Sequence, residues 1–237
     1  MRSFENEGDF EGDWEDKGEI AWGEGEWRKY LSKSRDEVER FLAYYMEFQD
    51  DTERLDKVAC LMGWDSEEWL GTESMLLSGS GKDSIQPRKF EEDDLDEDIN
   101  GDPYTLHRHP VYVATQALYL KIRRHWEEIL ARDADRIPQK TIWKTSDSLR
   151  IGENNAILAI SSLDMGDFSL AVCHLKSALS AINETLETQL ALSRNLLNKA
   201  VYLHDSCCVC LFDLREIWLR TIRDSREQAN HYFGENE

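Results

Sequence analysis

Two stretches near the end of the chain hold residue types that could do chemistry. In "HDSCCVC" (204–210), His204, Cys207, Cys208 and Cys210 fall three or four residues apart. On a helix, that spacing stacks an imidazole over thiols, a partial ligand set for a transition metal. A tetrahedral site needs four ligands converging from more than one direction, and one helix face cannot wrap an ion. The only obvious second pair is Cys173–His174. We therefore expect no metal and no cofactor, and read the cysteines as small apolar side chains packed in a core. In "REQANHYF" (226–233), Arg226 and His231 combine a fixed cation with a group that titrates near neutrality. That pairing suits phosphoryl transfer, with one group binding phosphate and the other moving a proton.

The Arg226-x4-His231-x-Phe233 spacing resembles the signature of HEPN domains, helical proteins that often cut RNA. The resemblance implies His231 as general acid/base, Arg226 as phosphate-stabilising group, and two copies meeting across a dimer. It spans eight residues, and Glu227 stands where a small polar residue is usual. The remaining histidines carry less chemistry. His125 sits in an apolar stripe beside Trp126 and reads as a buried or half-buried imidazole bonded to a neighbour. His107 and His109 in "HRHP" precede a helix start. "GSGKDS" is not a phosphate loop, because Asp83 follows Lys82 where Ser or Thr is required and no Gly lies five positions before Gly81.

Charge narrows the class of partner. Of 48 acids in the 237 residues, 31 precede residue 103, against 12 bases there; the rest of the chain is nearly balanced. Direct nucleic-acid binding by such a front is disfavoured, since binding phosphates requires Lys and Arg to displace counterions. A protein with a basic surface is the expected partner. An odd count of five clustered cysteines argues against a disulfide framework. No apolar run reaches membrane-spanning length, so the expectation is a soluble cytoplasmic protein.

The elements follow from periodicity. Residues 1–26 mix acids with Phe4, Phe10, Trp14 and Trp22 and read as a flexible acidic tail. Helices are expected over 27–77: Leu31, Val38, Phe41, Tyr45 and Phe48 form one stripe, with Ser34 and Glu37 as a capping box. A second helix over 52–63 should stop at Gly63, and a third should run from Asp65 to about residue 77. Residues 78–102 read as a flexible acidic linker. Over 103–237, Pro110 opens a helix lasting to about residue 133, and Ile137-Pro138 ends that region. Helices resume near residue 153, after a polar connection holding Trp143. From Asp167 to Tyr232 there is no Pro or Gly, so one very long helix or two must follow, with 192–198 as the natural junction.

Leu158-Ala159, Gly166-Asp167-Phe168, Ala171, Leu175 and Ala178 resemble one tetratricopeptide helix-turn-helix unit near 153–192. Gly166 permits the turn, Asp167 can cap the second helix, and the alanines allow close approach. Asn155 replaces the large aromatic, and no second copy appears at the family's period. The expectation is an all-α bundle in which 103–237 packs with 27–77. Its function would be that of a non-enzymatic protein-interaction or regulatory subunit. Phe10, Trp14 and Trp22 would be its anchors, Arg123 and Arg124 would lie in a basic region over 121–150, and self-association would be compatible with it. The alternatives are the HEPN-type ribonuclease using Arg226 and His231, and an acidic nucleic-acid mimic.

Overall fold

The computed structural model describes residues 23–64, 106–195 and 205–234, the side chains of 192–195, 205–206 and 231–234 excepted. The tail over 1–22, the third helix after Asp65, the linker over 78–102 and most of the 192–198 junction lie outside the described residues. Among the described residues there are six α-helices: α1 (Glu24–Glu47), α2 (Arg54–Met62), α3 (Pro110–Asp133), α4 (Gln139–Asp164), α5 (Phe168–Asn195) and α6 (Asp205–Gly234). Short 3-10 turns precede and follow α3, and no strand occurs among the described residues. The all-α expectation holds. Among the described residues, no helix is long and apolar enough to cross a membrane.

Helix ends sit where local chemistry puts them. Gly63 and Gly166, both with φ near +76°, close α2 and α4. At each, two backbone N–H groups fold back onto the last carbonyls: Gly63 to Cys60 and Trp64 to Ala59, Gly166 to Leu163 and Asp167 to Ser162. Pro110 is the first residue of α3, where its missing N–H costs no helical bond. Asp167 caps α5 by accepting the Leu170 N–H at 2.9 Å.

Two starts differ from the sequence expectation. α1 begins at Glu24 rather than at the Ser34 box, so residues 24–26 belong to the helix and not to a tail. Glu26 accepts the Gly23 N–H at 2.6 Å, and Tyr30 is buried edge-on against His107, with ring centroids 5.5 Å apart. Ser34 is therefore mid-helix and buried. α4 begins at Gln139, about four turns before the expected start near 153, and takes in Trp143. Its early turns look polar in sequence because they bury polar groups. Ser148 shares a hydrogen bond with Thr185 of α5 at 2.7 Å, and Gln189 donates to Thr145 at 3.2 Å.

α3 is the hub, packing on α1, α4 and α6. Val113, Ala114, Thr115, Ala117, Leu118, Tyr119 and Ile122 are all fully buried along it, so its apolar surface wraps well beyond one stripe. One continuous core joins Phe41 and Tyr45 of α1, Val58 of α2, Leu118 and Ile122 of α3, Ile160 of α4, Leu175 of α5 and Trp218 of α6. α4 and α5 form an antiparallel hairpin, and α5 also packs on α6.

Candidate interaction surface

The hairpin owes its closeness to small residues. Ala156 and Ala159 of α4 and Ala171 and Ala178 of α5 are completely buried, with Leu175 between them. Its outer surface is less well satisfied. Trp143 is 68% exposed, and Leu158, Met165, Leu170 and Leu190 are also large and exposed. Thus, among the described residues, five of the nine exposed large hydrophobic side chains lie on this one hairpin. Trp143, Asp147, Arg150, Asn154 and Leu158 recur at three- and four-residue steps and are all exposed. The α4 ridge is apolar at both ends and polar in the middle, where Arg150 pairs with Asp147 at 2.7 Å.

The basic region over 121–150 is mostly engaged within the chain. Arg123 binds Glu153 at 2.8 Å. Arg132 and Arg136 both bind Asp133, at 2.7 and 3.1 Å, and hold its carboxyl below the usual carboxylate range. Lys144 lies 3.4 Å from Glu184. Lys121 sits over the Tyr45 ring and donates to Gln49 at 3.4 Å. Arg124 and Lys140 remain exposed, with no ion-pair partner among the described residues. Of the two arginines singled out from sequence, Arg124 is thus open, whereas Arg123 is held by Glu153, whose carboxyl is pushed up by burial despite that arginine. Phe10, Trp14 and Trp22 lie outside the described residues.

Of the cysteines, Cys207 and Cys210 are buried in the core and Cys208 is half-buried, whereas Cys60 and Cys173 are exposed. Burial pushes the Cys210 thiol up. No group of three or more metal-ligating side chains occurs among the described residues, and His204 lies outside them. His125 is half-buried, 3.5 Å from Glu128 one turn on. Arg226 is exposed near the end of α6; the side chain of His231 lies outside the described residues, so the geometry of that pair does too.

Sequence reasoning missed a buried charged centre between α1, α2 and α6. Asp213 is 5% exposed. Arg54 binds it through both nitrogens of its fork, Nε to Oδ2 and Nη2 to Oδ1, each at 2.6 Å. The Tyr45 hydroxyl donates to the same carboxylate. Burial, with Cys210 and Asp213 adding to it, drives the Tyr45 hydroxyl far above its ordinary value. The centre is closed and fully paired, which suits fastening α2 to α6 rather than chemistry. Arg220 of α6 adds a second clasp, reaching Asp56 of α2 at 2.9 Å. In sequence the only trace is an acid inside the apolar run "CLFDL".

Comparisons of the chain with protein-family models, with curated proteins and with solved structures found no match.

Proposed function

We propose that the chain is a non-enzymatic helical adaptor that docks a protein partner on the outer face of the α4–α5 hairpin. The observation that carries this reading is the concentration of exposed apolar side chains there, led by Trp143 at 68% exposure. Tryptophan anchors of this kind contribute disproportionately to interfaces. The tetratricopeptide-like signature supports the same face: Gly166 makes the tight turn and Ala171 and Ala178 bring the helices close. A single unit of that type leaves one side open for another helix.

The partner would carry a basic surface. The acidic front, with 31 acids before residue 103, steers it, and Phe10, Trp14 and Trp22 give short-range anchors, with Arg124 as a further contact residue. Steering of this kind is screened over about 8 Å at physiological ionic strength. The test is quantitative capture from the native host with full-length bait. A stoichiometric basic protein should be recovered. It should be lost with Trp143→Asp plus Leu190→Asp, and bound with a weaker salt dependence when residues 1–22 are deleted. Recovery of the same proteins in the same amounts with all three baits would refute the hairpin and the tail together.

A further inference from the structure

The last helix carries a second exposed apolar strip, remote in sequence from the hairpin. Phe212 is 52% exposed and Leu219 is 43% exposed, two turns apart on α6. Arg215 and Glu216 lie between them and are also exposed. At 100° per residue the four side chains fall within about 100° of one another, forming a single narrow face. The opposite side of α6 is committed to the core through Cys210, Leu211, Leu214, Ile217 and Trp218.

The order of residues on this face is its own complement. A two-fold axis placed between Arg215 and Glu216, perpendicular to the helix, sets Phe212 against Leu219 of a second copy. It also sets Arg215 against Glu216 of that copy, and each contact occurs twice. Arg215 has no ion-pair partner among the described residues. Glu216 is bound through Oε1 by Arg220 at 3.0 Å, which leaves Oε2 to receive a second guanidinium. We propose that α6 pairs antiparallel with α6 of a second copy of this chain, through an isologous contact centred on Phe212, Arg215, Glu216 and Leu219. The apolar pair excludes water at each end, and the crossed ion pairs fix the register. A parallel arrangement would bring Arg215 onto Arg215 and Glu216 onto Glu216, so charge selects the antiparallel one.

The experiment is sedimentation equilibrium on the full-length chain over a wide concentration range, with melting curves to confirm that each variant is folded. The wild type should show a monomer–dimer equilibrium. Phe212→Asp should weaken it by more than roughly tenfold. Arg215→Glu alone should weaken it by roughly tenfold, because it creates two like-charge contacts, and adding Glu216→Arg should restore the dimer. That rescue reads the ion pair directly and does not depend on any single variant's stability. A wild type that stays monomeric overturns the proposal. So does a dimer indifferent to Phe212→Asp, or a double charge reversal no better than the single one. A monomer whose melting temperature drops on Phe212→Asp would show instead that the chain's own segments cover this face, and would equally overturn it.

Discussion

Tyr119 is fully buried, and its hydroxyl has no hydrogen-bond partner among the described residues. The oxygen abuts the backbone of α4 at Gly152, where an added Cβ would fall inside contact distance of it. Two expectations follow from that one contact. Tyr119→Phe removes an unsatisfied buried polar group and should raise the unfolding free energy by about 1 kcal/mol. Gly152→Ala should lower it by about 1–3 kcal/mol through overpacking, and much less in a Tyr119→Phe background. Urea unfolding of the four chains measures both, and simple additivity would contradict the contact. The Arg54–Asp213 pair behaves differently because it is a buried pair of opposite charges, to which Tyr45 adds a hydrogen bond on the carboxylate and the Asp51 carbonyl one on the guanidinium. Asp213→Asn leaves a guanidinium with side-chain exposure of 18% facing a neutral amide, and should cost about 3 kcal/mol. Replacing the charged pair together with the hydroxyl that it satisfies, as Arg54→Met, Asp213→Leu and Tyr45→Phe, should recover most of that loss. A triple variant as unstable as Asp213→Asn would mean that these three groups are not a self-contained clasp.

At the scale of the helices, termini are where sequence and structure agree most closely. Gly63, Pro110, Gly166 and Asp167 each act through bonds to residues within about one turn, so their meaning survives without tertiary context. The start of α4 was not legible because its polar residues face inward: Thr145 and Ser148 are buried against α5, inverting the pattern that marks a helix face. Asp213 was illegible for a related reason, since its partner Arg54 lies 159 residues away. Trp143 can be seen in the sequence, but its exposure depends on where α4 begins. The α3 terminus gives an element-scale prediction. The His109 Nδ1 accepts the Val111 N–H at 3.2 Å, so it must be unprotonated to cap α3. Burial holds the His109 imidazole below its ordinary value of 6.5, against a smaller opposing pull from Asp164. A depressed pKa means that the unfolded chain takes up the proton first. This contribution to stability is complete above about pH 6.5 and is lost as pH falls toward the folded pKa. His107 is depressed by burial as well and adds to the same slope. His109→Asn keeps a capping oxygen without a titrating proton. Melting temperatures from about pH 7.5 to about 5.5 should fall less steeply for this variant than for the wild type. Parallel curves would rule out the cap as a titrating element.

Across the whole molecule, one core draws on both sides of the segment 65–105. Phe41, Tyr44 and Tyr45 of α1 and Val58 of α2 are buried in the same cluster as Leu118 of α3 and Trp218 of α6. Burying four such side chains, three of them aromatic, is worth about 1.5–3 kcal/mol each. The Arg54–Asp213 and Arg220–Asp56 clasps add orientation at the α2–α6 seam. The association of the front helices with the rest should therefore outlast loss of the covalent connection. Residues 1–78 and 103–237, expressed together as separate chains, should co-purify as one stoichiometric unit and melt in one transition. That transition should be lower than for the intact chain and dependent on concentration, because joining the pieces no longer benefits from a high effective concentration. Asp213→Asn in the second piece should release the first at concentrations where the unmodified pair stays bound. Two transitions independent of concentration, or pieces that separate during purification, would show that α1 and α2 form a satellite and not part of the common core.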